Sequence, residues 1–147
     1  AKLAITADGM QISSVQRADT EPEFHECATE SEYIQKLIQT ARASKEFKGT
    51  TAFVALDTET AARTAQLLGD DSPTLIGEGD TLPNSGSILL TLPLAKGLEF
   101  DHVVIVDANK EDFPETDLSR RRLYTAISRA TSTVSIFSNG ELSPLLK

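Results

Sequence analysis

Two short stretches of the sequence carry side chains that could take part in chemistry. In Lys96-Gly97-Leu98-Glu99 a glycine permits close backbone approach, and a charge of each sign flanks it just before an apolar run. In Tyr124-Thr125-Ala126-Ile127-Ser128-Arg129-Ala130 the arginine lies near the end of an otherwise apolar helical pattern. Such an arginine either satisfies the last carbonyl groups of its helix or has a functional role, and the residues alone favour neither interpretation.

The other candidate groups are better explained as structural. His25 and Cys27 would share one face of a strand, but no further ligand accompanies them, so we predict a free thiol and no bound metal. His102 stands at a strand entrance without a nucleophile signature. The sequence has no Gly-x-x-x-x-Gly-Lys-Ser/Thr phosphate loop and no dinucleotide fingerprint. The chain therefore cannot by itself hold the phosphates of a nucleotide in the usual way.

Short apolar runs alternate with helical patterns along the chain. The runs predict strands at residues 24–28, 51–56, 74–76, 87–92, 103–106 and 133–137. One helix is predicted to begin at the capping box Thr29-Glu30-Ser31-Glu32. Two further helices are predicted, one capped by Asp57 or Thr58 and one capped by Asp117. This alternation indicates an α/β fold with a parallel or mixed sheet of about five strands. The charged loop 96–99 adjoins a strand buried on both faces, which is where we expect function.

Length and composition limit the class of protein. A chain of 147 residues fits one domain, and we divide it into an arm at residues 1–20 and a single domain at 21–147. The net charge of −8 repels phosphate backbones, so contact with nucleic acid would need a local basic patch. The single cysteine and the lack of an apolar run near the ~20 residues of a membrane span fit a cytoplasmic protein without membrane contact. Because the chain begins at Ala1 without a leader, we expect a C-terminal fragment of a larger protein.

The two chemical stretches, taken together, resemble a known family. Residues 91–100 and 124–130 resemble two signature motifs of the UvrD/Rep-type superfamily 1 DNA helicases, Thr-x-His-x-Ala-Lys-Gly-Leu-Glu-Phe and Tyr-Val-x-x-Thr-Arg-Ala. Phe113-Pro114 resembles an element that the family places between them, so that the resemblance covers residues 87–138. It implies the C-terminal RecA-like core domain, a three-layer α/β domain with a mostly parallel central sheet and no P-loop. That domain closes over ATP bound to an upstream P-loop domain of the same chain.

The resemblance also implies roles for particular residues. Arg129 would be the catalytic arginine finger, which reaches the γ-phosphate across the cleft between the two domains. Gly97 and Glu99 would approach the nucleotide, with Lys96 either beside it or in a structural ion pair, and Thr91 would contact the nucleic-acid backbone. The cofactor would be ATP with Mg²⁺, held mainly by the upstream domain. The full-length protein is thus expected to be an ATP-dependent DNA helicase, whereas this chain alone should hydrolyse no ATP.

One departure from the family pattern concerns the partner. Pro93-Leu94 replaces the His-Ser pair of the family, which removes two polar groups from the region expected to touch single-stranded DNA. Together with the acidic composition, this resembles the HelD-type branch, whose members act on RNA polymerase. Single-stranded DNA and RNA polymerase therefore both stay open as partners. A non-catalytic helicase-like domain that serves as a protein-interaction module also stays open.

Overall fold

Six strands form one sheet in which all neighbours run parallel. The computed structural model describes residues 21–147 and, as backbone only, residues 6–7 and 10–11. Two short strands, β1 (Thr6–Ala7) and β2 (Met10–Gln11), form a separate antiparallel pair. The sheet contains β3 (Glu23–Cys27), β4 (Thr50–Ala55), β5 (Thr74–Leu75), β6 (Gly86–Thr91), β7 (Phe100–Ile105) and β8 (Ala130–Asn139). Their order across the sheet is β3-β8-β7-β4-β6-β5.

Helices cover both faces of this sheet. They are α1 (Glu30–Ser44), α2 (Thr58–Leu68), α3 (Leu92–Ala95) and α4 (Asp117–Ile127), with 3-10 turns at Gly69–Asp71 and Pro144–Leu146. Because successive strand residues point to opposite faces, β4 sends Phe53 into the core under α1 and α2 and Val54 into the core under α3 and α4. The architecture is therefore three-layered, and the predicted α/β fold class is confirmed. None of the described helices is long and apolar enough to cross a membrane.

The first helix begins as its capping box predicts. Thr29 Oγ1 accepts a hydrogen bond from Glu32 N at 3.2 Å, and Glu32 Oε1 accepts one from Ala28 N at 3.0 Å. The first bond satisfies a backbone donor that the first helical turn leaves without a partner, and the second joins Glu32 to the residue before the cap. Asp57 caps α2 in a similar way, since its Oδ1 accepts from Thr60 N at 2.8 Å.

At the start of α4 the prediction of Asp117 as the cap is wrong by one residue. The cap is Thr116, whose Oγ1 accepts from Ser119 N at 3.1 Å. Asp117 is instead the first helical residue, where a negative charge is favourable near the positive end of the helix dipole. Its carboxylate pairs with Arg120 Nη1 at 2.7 Å.

Three further expectations about the elements change. The sheet has six strands rather than about five, and it is wholly parallel. β7 begins at Phe100 and β8 at Ala130, three residues earlier than predicted in each case, and the loop after β6 contains the short helix α3. Of the predicted arm at residues 1–20, only the backbone at 6–7 and 10–11 is described, and the rest lies outside the described residues.

Candidate functional site

The segment between β6 and β7 carries the predicted site residues from one edge of the sheet to the other. Thr91 is level with Ala55 at the carboxyl end of β4, whereas Phe100 is level with Ala130, the first residue of β8. The length of β7 lies between these two levels, which separates them by roughly 20 Å at ~3.3 Å per residue. Thr91 is therefore at the carboxyl edge, and residues 97–99 are at the amino edge.

Arg129 is anchored at the amino edge, beside the turn that precedes β7. Its Nη1 donates to Leu98 O at 3.2 Å, and Phe100 N donates to Arg129 O at 2.9 Å. Its Nε donates to Thr125 O at 3.1 Å, and its Nη2 donates to Ser128 Oγ at 3.2 Å. The structure thus brings the two chemical stretches together. Arg129 also satisfies a carbonyl in the last turn of α4, which is the structural role that the sequence left open.

The Arg129 guanidinium has donors left over after these contacts. An arginine side chain carries five N–H donors, and three of them have partners among the described residues. Each terminal nitrogen keeps one further N–H, and the side chain is only half-buried. A guanidinium that is held by backbone carbonyls and still presents two donors can bind two oxygens of a phosphate or a carboxylate.

The turn beside Arg129 contains two of the predicted nucleotide contacts. Gly97 has φ 85, a conformation that favours glycine, and a Cβ there would meet nothing within 4 Å. The backbone conformation therefore requires this glycine, and the open space beside it leaves room for a ligand. Glu99 is exposed on the same turn.

Thr91 lies at the other edge of the sheet from this cluster, whereas Lys96 directly precedes Gly97 in the chain. Lys96 follows α3 as its C-cap, is exposed, and lines a cleft with Pro93. The structural ion pair considered for Lys96 is not formed with any described residue. Thr91 occupies the N-cap position of α3, but its side chain makes no cap hydrogen bond. Its half-buried hydroxyl is thus not committed to holding the helix.

Sequence reasoning missed the cleft between α3 and α4. Its volume is about 380 Å³, and it is lined by Leu56, Leu92, Pro93, Lys96, Leu118, Arg121, Arg122 and Thr125. The four lining residues from α4 are spaced i, i+3, i+4, i+7, so they form one face of that helix. This spacing was visible in the sequence, but only the packing of α3 beside α4 makes the face one wall of a cleft.

A buried polar cluster around Asp107 at the carboxyl edge was also missed. Asp107 has φ 55, and its carboxylate accepts from Arg63 Nη2 at 3.1 Å and from Asn109 Nδ2 at 2.6 Å. Burial, together with the nearby charge of Asp107, raises the pKa of Asp112. The cluster ties the loop after β7 to α2.

The histidines and the cysteine have structural surroundings. The His25 ring stacks on Phe137 with 4.4 Å between ring centroids, and burial lowers the pKa of His25. Cys27 is a buried free thiol whose pKa is raised by burial. His102 Nδ1 lies 2.7 Å from Thr133 Oγ1. Within the described part of the chain, no three potential ligands are grouped so that they could hold a metal ion.

Comparison with known proteins bears on the predicted resemblance. Residues 86–137 match the family described as the UvrD-like helicase C-terminal domain. Among solved structures, the C-terminal domain of a possible DNA helicase from Lactobacillus plantarum WCFS1 is similar, with a TM-score of 0.76 and 24% identity. That similarity covers 97% of this chain and 91% of the other. A comparison with curated proteins gives no significant match. The family match includes both motif stretches, and the structural match shows a shared fold.

Proposed function

We propose that the chain is a UvrD-type helicase C-terminal domain and serves as the C-terminal motor domain of an ATP-dependent superfamily 1 DNA helicase or translocase. The family match over residues 86–137 and the shared fold support this proposal and agree with the resemblance seen in the sequence. In the proposed role, the chain completes the ATP site of an upstream P-loop domain and couples hydrolysis to movement on nucleic acid. The proposed setting is the cytoplasm.

The geometry of Arg129 is the observation that supports an ATP site most directly. Its guanidinium is fixed against Leu98 O and Thr125 O, yet it keeps two N–H donors and is only half-buried. A positioned arginine of this kind can stabilise the charge that develops on a transferred phosphoryl group. Because its backbone contacts hold the side chain in place, little reorganisation is needed when a phosphate oxygen arrives.

The neighbouring residues fit a nucleotide at the same edge. The open space beside Gly97 could accommodate a nucleotide held by another domain, and Glu99 is exposed on the same turn. Lys96, which faces the cleft, and Thr91, at the opposite edge, belong to a separate surface. We assign the nucleotide to the amino edge and the nucleic-acid backbone to Thr91, with Mg²⁺ held mainly by the upstream domain.

The test uses the full-length protein with Arg129→Ala and Arg129→Lys. An arginine finger contributes about a thousandfold or more to kcat, so Arg129→Ala should lower ATP turnover on that scale while nucleotide affinity changes much less. Lysine retains the charge but cannot make the same forked contacts, and it should restore only a small part of the rate. Arg121→Ala is the matched control, because Arg121 lies on the helix that precedes Arg129 and faces the cleft.

Two controls keep this test interpretable. Arg129 also bonds to the backbone, so thermal melting of each variant must show that the domain remains folded. The isolated 147-residue chain should hydrolyse no ATP. A folded Arg129→Ala protein that turns over ATP at the parent rate would remove Arg129 from the mechanism.

Remodelling of RNA polymerase is the second candidate, and the α3 sequence favours it. Pro93 is exposed and Leu94 is half-buried, so the segment that should face nucleic acid offers two apolar side chains instead of two polar ones. Single-stranded DNA should stimulate ATP turnover of a DNA translocase, whereas a polymerase remodeller should respond to the polymerase instead. A full-length protein that hydrolyses ATP under neither condition would favour the non-catalytic interaction module.

A further inference from the structure

The cleft between α3 and α4 combines apolar and basic side chains in a way that the proposed ATP site does not use. Its apolar residues are Leu56, Leu92, Pro93 and Leu118, and its cationic residues are Lys96, Arg121 and Arg122. Leu118 is 48% exposed and lines the same cleft as the other three apolar residues. A concave, mostly apolar site with a few charged groups at its rim is the usual form of a ligand-binding site.

The face of α4 that lines this cleft is distinct from the face that builds the core. Leu123, Ala126 and Ile127 are buried against the sheet. Leu118, Arg121 and Thr125 point into the cleft instead. From Leu118 to Thr125 the helix rises about 10 Å at ~1.5 Å per residue, which matches roughly three residues of an extended peptide.

The cations around the cleft form no close ion pair within the described part of the chain, and Arg122 has only a weaker, longer-range attraction to Asp57. Lys96, Arg121 and Arg122 form no ion pair with any described residue, whereas the adjacent Arg120 pairs with Asp117 at 2.7 Å. The chain as a whole carries a net charge of −8. Three unpaired cations around one apolar cleft, on an otherwise acidic protein, form a local site that is complementary to negative charge.

We propose that the α3–α4 cleft docks a short acidic protein segment with an apolar side chain at its centre. The leucine and proline side chains receive the apolar anchor, and the cations at the rim pair with flanking carboxylates. Among the described residues that line the cleft there is no aromatic side chain on which a nucleic-acid base could stack, so their chemistry suits a peptide better than a single strand. This inference goes beyond the proposed function, because it needs neither ATP nor Arg129.

The test measures fluorescence anisotropy of a labelled Glu-Glu-Leu-Leu-Glu-Glu peptide with the 147-residue chain in the absence of nucleotide. Comparison probes are Lys-Lys-Leu-Leu-Lys-Lys, Glu-Glu-Ser-Ser-Glu-Glu and a short oligothymidylate. Only the acidic leucine peptide should bind with saturation, and its affinity should fall as salt rises, because salt screens exposed charges.

Charge reversal at the rim tests the location. Arg121→Glu with Arg122→Glu should weaken peptide binding by about tenfold or more, since each reversal replaces a weak attraction by a repulsion. Lys45→Glu with Lys48→Glu is the matched control, because it changes the net charge equally at exposed positions outside the cleft. Arg121→Gln with Arg122→Gln provides a milder variant if the reversed one fails to fold. Leu118→Ser tests the apolar half of the site and should also weaken binding.

Several results would overturn the inference. The peptide could bind no better than its serine or lysine counterparts, or the rim variants could bind it as tightly as the parent. Oligothymidylate could bind more tightly than the peptide and be released by the same rim variants, which would make the cleft a nucleic-acid surface. Concentration-dependent self-association that is abolished by the rim variants would make the occupant a second copy of the chain. None of these results depends on ATP turnover, so they leave the proposed motor function to its own test.

Discussion

Replacement of Gly49 by alanine should destabilise the fold more than the same change at another glycine with positive φ. Gly49 has φ 83, and a Cβ added there would overlap Asp101 Oδ2 and lie 2.5 Å from Asp101 Cγ. The same Oδ2 accepts a hydrogen bond from Thr50 N at 2.8 Å. Alanine therefore forces the Asp101 carboxylate to move and removes the partner of a half-buried backbone donor at the start of β4.

The magnitude follows from two separable costs. An alanine held in the left-handed region costs roughly 1–2 kcal/mol. Loss of a hydrogen bond to a charged acceptor costs roughly 1.5–3 kcal/mol, and the lower end applies because Thr50 and Asp101 are only half-buried. The sum is about 3 kcal/mol, which for a domain of this size lowers the melting temperature by roughly 6–12 °C.

Urea and thermal unfolding of three variants separate the two costs. Gly79→Ala is the matched control, because Gly79 has φ 85 and a Cβ added there would meet no atom within 4 Å. Only the backbone cost applies to this variant. In an Asp101→Ala background, Gly49→Ala should likewise show only the backbone cost, since the obstructing carboxylate is gone. Equal losses of stability for Gly49→Ala and Gly79→Ala in the parent chain would refute this reasoning.

Two further variants test the caps and the carboxyl edge. Asp57→Ala should cost about 1 kcal/mol of unfolding free energy at neutral pH, because it removes the acceptor for Thr60 N. That hydrogen bond lowers the pKa of Asp57 below its value in the unfolded chain. The stabilisation by the cap is therefore complete above the unfolded pKa, and urea titrations should show its loss as the pH falls through the folded pKa. Asp57→Asn should keep a cap without this pH dependence. Arg63→Ala should cost about 1 kcal/mol by chemical denaturation, since it removes the cation that pairs with the buried Asp107. Arg42→Ala, which breaks an exposed ion pair, should have little effect, and equal losses for the two arginines would count against the Asp107 cluster.

Much of the fold could be predicted because its elements carry local signals. β4 and β7 lie inside the sheet and are continuous apolar runs. The start of α1 is indicated by its capping box. α3 could not be predicted, since four residues that include a proline show no helical period. It is stabilised instead by tertiary packing, in which Leu92 and Ala95 are buried in the core shared with α4.

The candidate site was predictable only in part. Arg129 and the turn at residues 97–99 lie far apart in sequence, and the parallel pairing of β7 with β8 brings them together. The motif alone does not separate Thr91 from residues 97–99. Parallel pairing of the predicted strands at 87–92 and 103–106 does, because the end of one parallel strand and the start of the next lie at opposite edges of the sheet. The basic side of the cleft, Arg121 and Arg122, is visible in the sequence as adjacent charges, but the wall opposite it comes from a helix that was not predicted.

The course of residues 91–100 explains how one continuous motif can serve two surfaces. The chain leaves the carboxyl edge at Thr91, turns through α3, and reaches the amino edge at Leu98, whose carbonyl accepts from Arg129. Along this path Leu98 N donates to Ala95 O at 3.0 Å, and Ala95 is fully buried. The segment is thus a packed, hydrogen-bonded connection and not a free loop. In the proposed motor domain, a phosphate bound by Arg129 contacts a side chain that is hydrogen-bonded to this connection. Nucleotide binding at one edge thus has a continuous physical link to the surface around Thr91 at the other.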